Sequence, residues 1–347
     1  MHKRELLRAK AMCLAFGTAG GTLFYLLNLP LPWMLGAMGA TTIAAMSGLR
    51  IAAAPTLRMV FTSILGIMLG SAFTPGVLQS IGTWLGSFGW LVIYVVLATS
   101  LVFAFYLRVA RYDTVTAYFS AAPGGLSEMI LAGGALGGDE RRISLAHAAR
   151  ILIAIFSLSF GYRWFGGYVP PVAGSPALST IIEIEDWLAL AACGVVGYLG
   201  ARALRIPAYA LVGPMVLSAI AHVSGLTVSR PPLWLVAAAQ VIIGSMVGSR
   251  FDSISLRTVG QALLLATGAT IVLLGLATLF GETVEKTLGI PFAAALLAFS
   301  PGGLAEMSLI ALSMDVDAAY VSSHHIVRIF MIVLAAPLLF RLLRRGG

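Results

Sequence analysis

Two short runs in this chain could do chemistry. APGGLSEMIL (122–131) and SPGGLAEMSL (300–309) agree at seven of ten positions, and each sets a carboxylate, Glu128 or Glu306, three residues beyond a Pro-Gly-Gly break. Proline brings no N–H, and glycine reaches backbone angles closed to other residues, so a helix entering Pro123–Gly124–Gly125 or Pro301–Gly302–Gly303 must unwind there. Lipid cannot satisfy the freed amides and carbonyls, which must therefore face protein or a wet cavity. Half-helices starting again at Gly124 or Leu126, and at Gly302 or Leu304, would turn their positive dipole ends toward that place, an arrangement suited to an anionic group.

Downstream of each break stands a second pair, His147 with Arg150 and His325 with Arg328. Each arginine lies 11 residues past a loop aspartate, Asp139 or Asp317. That is about 16 Å along a helix and near the middle of a hydrocarbon core about 30 Å thick. The histidines precede the arginines by three residues and share their helix face. A charge at that depth costs about 2.5–3.5 kcal/mol unless it is partnered. The functional expectation is a binding and coupling site. Pro123, Gly124, Gly125, Ser127, Arg150, Pro301, Gly302, Gly303 and Arg328 would hold solute, while Glu128, Glu306, His147 and His325 would carry the coupling ion. The bland alternative makes the Glu and Arg residues neutralising bridges, within a half or between halves. His324 faces Ala146 in the other half and reads as incidental, and His222 as interfacial.

These residues need helices to place them. Continuous apolar spans are expected near 10–28, 30–48, 57–74, 82–107 and 142–161, then 186–204, 207–224, 233–249, 258–280 and 318–342. The stretches 113–137 and 288–314 are interrupted at the PGG motifs. An offset of 178 pairs Asp139, His147 and Arg150 with Asp317, His325 and Arg328, and Gly66, Gly70, Ser71 and Phe73 with Gly244, Gly248, Ser249 and Phe251. An offset of 177 aligns Gly20, Pro30, Gly36 and Gly48 with Gly197, Pro207, Gly213 and Gly225. Such a period marks a duplicated chain: a first repeat over 1–165, a Pro-rich linker over 166–185 and a second repeat over 186–347. The third-span glycines form small-xxx-small patterns, which close helix packing explains.

With 59% hydrophobic and 10% charged residues, this is an all-α polytopic membrane protein rather than a soluble domain. The net charge of +8 lies in small groups between apolar runs, which sets orientation rather than nucleic-acid binding. If each half crosses five times and its broken stretch dips in and returns, 17 basic residues lie inside and three outside. Six crossings per half give 14 against six. Inverted repeats are thus favoured, with both termini cytoplasmic. Whether the PGG segments cross or re-enter stays open. Cys13 and Cys193 suggest no disulfide or metal site, no cofactor pattern is present, and the basic N-terminus reads as an uncleaved first span.

The duplicated PGGL-x-EM motif and the paired H-x-x-R resemble the AbrB family of duplicated bacterial membrane proteins, over nearly the whole chain. Its name is shared with a small soluble DNA-binding regulator that lacks such spans, and members are also labelled ammonia monooxygenases or regulators of another gene. Five scattered histidines offer no ligand set for such an oxygenase. The family is distantly similar to cation/proton antiporters and anion transporters built from inverted repeats with crossed broken helices. The resulting expectation is a secondary transporter of the inner membrane, coupled to H⁺ or Na⁺, for a small anionic solute. It is not expected to be an enzyme. The lipid bilayer is its partner, nucleic acid is not, and a homodimer is one of the assemblies left open. A membrane-embedded regulator is the alternative.

Overall fold

The computed structural model describes residues 3–165, 183–252 and 254–345. Among them every regular element is helical: α1 (Lys3–Leu26), α2 (Pro32–Met46), α3 (Pro55–Gly70), α4 (Val77–Arg108), α5 (Thr114–Ala121), α6 (Leu126–Ala135), α7 (Glu140–Phe165), α8 (Ile184–Ala203), α9 (Tyr209–Val223), α10 (Leu233–Gly248), a 3-10 turn (Ser249–Phe251), α11 (Leu256–Leu288), α12 (Phe292–Phe299), α13 (Leu304–Ser313) and α14 (Ala318–Arg345). Each expected span is a helix, and both interrupted stretches are helix–break–helix. About ten transmembrane spans were expected. Six described helices are long and apolar enough to cross a membrane, as in a multi-pass membrane protein. Helices α2, α3 and α9 have only 15 or 16 residues. At 1.5 Å per residue they reach about 24 Å, short of a core about 30 Å thick.

Several backbone features recur at the offsets seen in the sequence. The described residues with positive φ form five pairs: Asn28 with Arg205, Leu31 with Ala208, Gly48 with Gly225, Arg111 with Gly289, and Gly137 with Asp315. Gly48 and Gly225 adopt the left-handed conformation just past α2 and α9, the usual way to stop a helix. The paired elements also match in length. Helices α5 and α12 have 8 residues each, α6 and α13 have 10.

Two compact units are formed, and both draw on both halves: Met1–Leu78 with Phe156–Val259, and Gln79–Ile155 with Gly260–Gly347. The sequence halves 1–165 and 186–347 are therefore a different division from the compact units. Most of the expected linker, 166–182, lies outside the described residues.

In the first unit several glycines sit at helix crossings. A Cβ on Gly20 would collide with the Gly36 carbonyl and one on Gly36 with the Gly20 carbonyl, where α1 meets α2; Gly197 and Gly213 repeat this between α8 and α9. The third helix of each half packs against the second helix of the other. Gly66 and Gly70 press on Leu211 and Met215 of α9, while Gly244 and Gly248 press on Met34 and Met38 of α2. Ser218 Oγ adds a hydrogen bond to the Ile67 carbonyl at 2.7 Å. Close packing is what the small-xxx-small glycines provide.

The second unit holds both breaks. Helix α14 contacts α12, α13 and α6, and Tyr118 and Phe119 at the end of α5 pack tilted against Phe340 of α14, with ring centroids at 5.2 and 5.6 Å. Asp139 and Asp317 cap α7 and α14, accepting from the Arg142 and Tyr320 amides at 3.0 and 2.9 Å. These caps fix where the His and Arg side chains fall along the helices.

Candidate functional site

The break motif has a job for each residue. Helix α5 ends at Ala121 and α12 at Phe299; Pro123 and Pro301 follow and are buried. The second glycine of each motif is the N-cap of the next half-helix, with φ of −63° at Gly125 and −76° at Gly303. These angles suit any residue, and none of the four motif glycines has positive φ. The expectation that the glycines serve unusual backbone angles is therefore corrected. What they provide is space. A Cβ on Gly125 would strike the Glu128 carboxylate, one on Gly303 the Glu306 carboxylate, one on Gly302 the Met307 side chain, and one on Gly124 both Met129 and Ile332.

The carboxylates thus fold back over the first residues of their own half-helices. Glu128 and Glu306 occupy the third helical position, counted from Leu126 and Leu304. From there a Glu side chain can return to cover the unpaired amides at the N-terminus. Each half-helix N-terminus is thus covered by a carboxyl group belonging to the chain itself. Glu306 is buried and Glu128 half-buried; Ser127 is exposed, whereas its counterpart Ala305 is buried.

The arginines act at the opposite end of each break. Arg150 Nη1 donates to the Ser120 and Ala121 carbonyls at 3.3 Å each, and Nη2 lies 2.9 Å from His147 Nδ1. Arg328 Nη1 donates to the Ser300 carbonyl and Nη2 to the Gly302 carbonyl, both at 2.8 Å, with His325 Nδ1 also 2.8 Å away. These carbonyls have no intrahelical donor, and a cation beside them complements the negative helix end. The sequence offered Glu–Arg bridges as the alternative reading; both guanidinium groups donate to carbonyls and imidazoles.

The histidines brace the arginines. His147 Nε2 bonds the Phe119 carbonyl at 2.8 Å and His325 Nε2 the Leu297 carbonyl at 3.0 Å. A carbonyl only accepts, so each imidazole carries its hydrogen on Nε2 and offers the Nδ1 lone pair to arginine. This is a neutral imidazole with both nitrogens committed.

The structure also ties the two breaks together. Gly124 packs on Ile332, one helical turn beyond Arg328, and Arg328 holds the second break. The fields of Arg150 and Arg328 both reach Tyr94, and each other. Tyr94 Oη, Arg150 Nε and Arg328 Nε are buried without a hydrogen-bond partner. Nothing in the sequence singled out Tyr94; it is one tyrosine in a long apolar run. Among the described residues no three His, Cys, Asp or Glu side chains gather as metal ligands.

Residues 33–344 match a family model described as "Transition state regulatory protein AbrB". The chain is similar to "Uncharacterized protein YhjN" of Bacillus subtilis (strain 168), 26% identical over 99% of this chain and 95% of that one. It is likewise similar to "Putative regulator AbrB" of Escherichia coli (strain K12), 26% identical over 92% of this chain and 91% of that one. With the family model covering both PGG breaks and both His–Arg pairs, this chain belongs to the AbrB family.

Proposed function

We propose that this chain is a secondary transporter which carries a small anionic solute across the bacterial inner membrane, coupled to H⁺ or Na⁺, at its two PGGLxEM breaks. The observation behind this is the return of Glu128 and Glu306 over Gly125 and Gly303. An ionised carboxylate occupies the positive end of its half-helix. Protonation, or pairing with Na⁺, weakens that hold, and a solute anion takes the vacated place. Ion and anion then load together. Arg150 and Arg328 offset the solute charge, and their Nε–H groups and the Tyr94 hydroxyl remain to bind it. This reading contains no chemical step.

The paired left-handed residues and the reciprocal glycine contacts support descent from a duplicated unit. The distribution of Lys and Arg supports opposite orientations of the two repeats, with cytoplasmic termini. Proteoliposomes offered small carboxylates and inorganic anions under a pH or Na⁺ gradient test the proposal. Gradient-driven accumulation that E128Q or E306Q abolishes is the expected result, and absence of flux for every anion counts against it. The name of the Escherichia coli relative favours a second reading, a membrane-embedded regulator or sensor. Altered transcript levels on deletion, without flux, would support that one.

A further inference from the structure

His324 stands where the first half has Ala146. It is wholly buried, as is Ser87, and Tyr320 is 1% exposed. His324 Nδ1 lies 2.9 Å from the Tyr320 carbonyl, and Nε2 lies 2.9 Å from Ser87 Oγ. Ser87 Oγ also bonds Tyr320 Oη. Since the carbonyl only accepts, Nδ1 carries the hydrogen, and in a neutral imidazole Nε2 is a lone pair. Ser87 must then donate to that lone pair, so its oxygen accepts from the Tyr320 hydroxyl. In the neutral state every direction in the chain is thereby set, from Tyr320 through Ser87 to an unprotonated nitrogen. This is the opposite tautomer to His147 and His325. At an offset of 178, Leu265 stands for Ser87 and Arg142 for Tyr320, so the repeat-related place, Leu265 with Arg142 and Ala146, has nothing like it.

We propose that Ser87 of the first half, with Tyr320 and His324 of the second, forms a proton-binding site that the repeat does not duplicate, in which proton uptake at His324 Nε2 reverses both hydroxyls. The imidazolium then donates to Ser87 Oγ, Ser87 donates to Tyr320 Oη, and the Tyr320 O–H turns to another acceptor. One N–H bond forms and no proton leaves. The new charge sits one helical turn before Arg328, where like-charge repulsion loosens the guanidinium that holds the second break. On its own helix the imidazole bonds the Tyr320 carbonyl and feels the charge of Arg328, His325 is its chain neighbour, and the field of Asp317 reaches Tyr320. From α4 and α12 it meets Ser87, Phe88 and Phe299, which carry no charge. Use of this proton in coupling rests on the transporter reading; its binding does not.

Nitrogen-15 NMR of histidine-labelled full chain in lipid nanodiscs tests the site without any solute. The chain has five histidines, and H324Q identifies the signal. His324 is expected to be the Nδ1–H tautomer at neutral pH and to gain a proton on Nε2 as the pH is lowered. S87A and Y320F should each weaken proton binding about tenfold, because the imidazolium loses its acceptor chain. A His324 that stays neutral throughout, or an unchanged midpoint in both variants, overturns the proposal. If vesicles show solute flux that keeps its proton coupling in H324Q, the coupling role fails while the binding site stands. If no flux is found, the transporter reading fails and the titration still decides this site.

Discussion

Arg328 donates to the carbonyl of Gly302 at 2.8 Å, whereas Arg150 reaches only the helix-end carbonyls of Ser120 and Ala121, at 3.3 Å. The two halves hold their breaks unequally. The second guanidinium grips the break itself and the first only the helix leading into it.

Arginine substitutions should expose that inequality. Lysine cannot bond two carbonyls and an imidazole in one plane. R328K is expected to cost about 1–3 kcal/mol through a carbonyl left unsatisfied, and R150K less. Unfolding titrations in detergent check the order. Equal losses would mean that the differing bond lengths carry no energy.

Gly303 and Glu306 should be coupled. In G303A the new methyl meets the carboxylate, an overpacking expected to cost about 1–3 kcal/mol. In an E306A background the same change should cost much less. A double-mutant cycle measures the difference, and additive losses would show that the carboxylate is not what excludes a side chain there.

The helix-crossing glycines give a contrast within one residue type. G36A drives a methyl into the backbone of Gly20, which cannot yield, and should destabilise by about 1–3 kcal/mol or more. A Cβ at Gly200 or Gly275 meets nothing within 4 Å. There alanine should be neutral or stabilising by about 0.5–1 kcal/mol, as measured by thermal unfolding.

Asp113 supplies a pH dependence outside the spans. Its carboxylate caps α5, accepting from the Thr116 amide at 2.9 Å. Partial burial raises its pKa, but the bonds from Thr116 and neighbouring amides outweigh burial and hold it below the ordinary value of 3.8. A carboxylate depressed in the folded state adds stability above its unfolded pKa, and that stability is lost as pH falls through the folded value. D113A should cost about 0.5–2 kcal/mol at neutral pH and approach wild type in acid. Stability measured across the acid range checks this; a constant difference would contradict it.

The sequence made the helices and breaks legible because apolar run length, Pro-Gly-Gly and charged loops act locally. Partners were less legible. A buried Arg150 or Arg328 announces that it needs acceptors but not which ones, and carbonyls leave no mark in a sequence. Gly303 likewise shows that a side chain is excluded without saying whether the backbone angle or Glu306 excludes it. Ser87 and Tyr320 are 233 residues apart, so their bond, and the part it gives His324, could appear only in three dimensions.

On the transporter proposal, a solute anion and the chain's own carboxylate compete for the same helix end. Melting of wild type and E306Q in detergent, with small carboxylates titrated in, reads out that competition. With the competing charge removed, E306Q should be stabilised at anion concentrations about tenfold lower than wild type, and wild type should gain sensitivity as pH falls. Equal responses in both proteins, with no pH dependence, would show that anion and carboxylate do not compete.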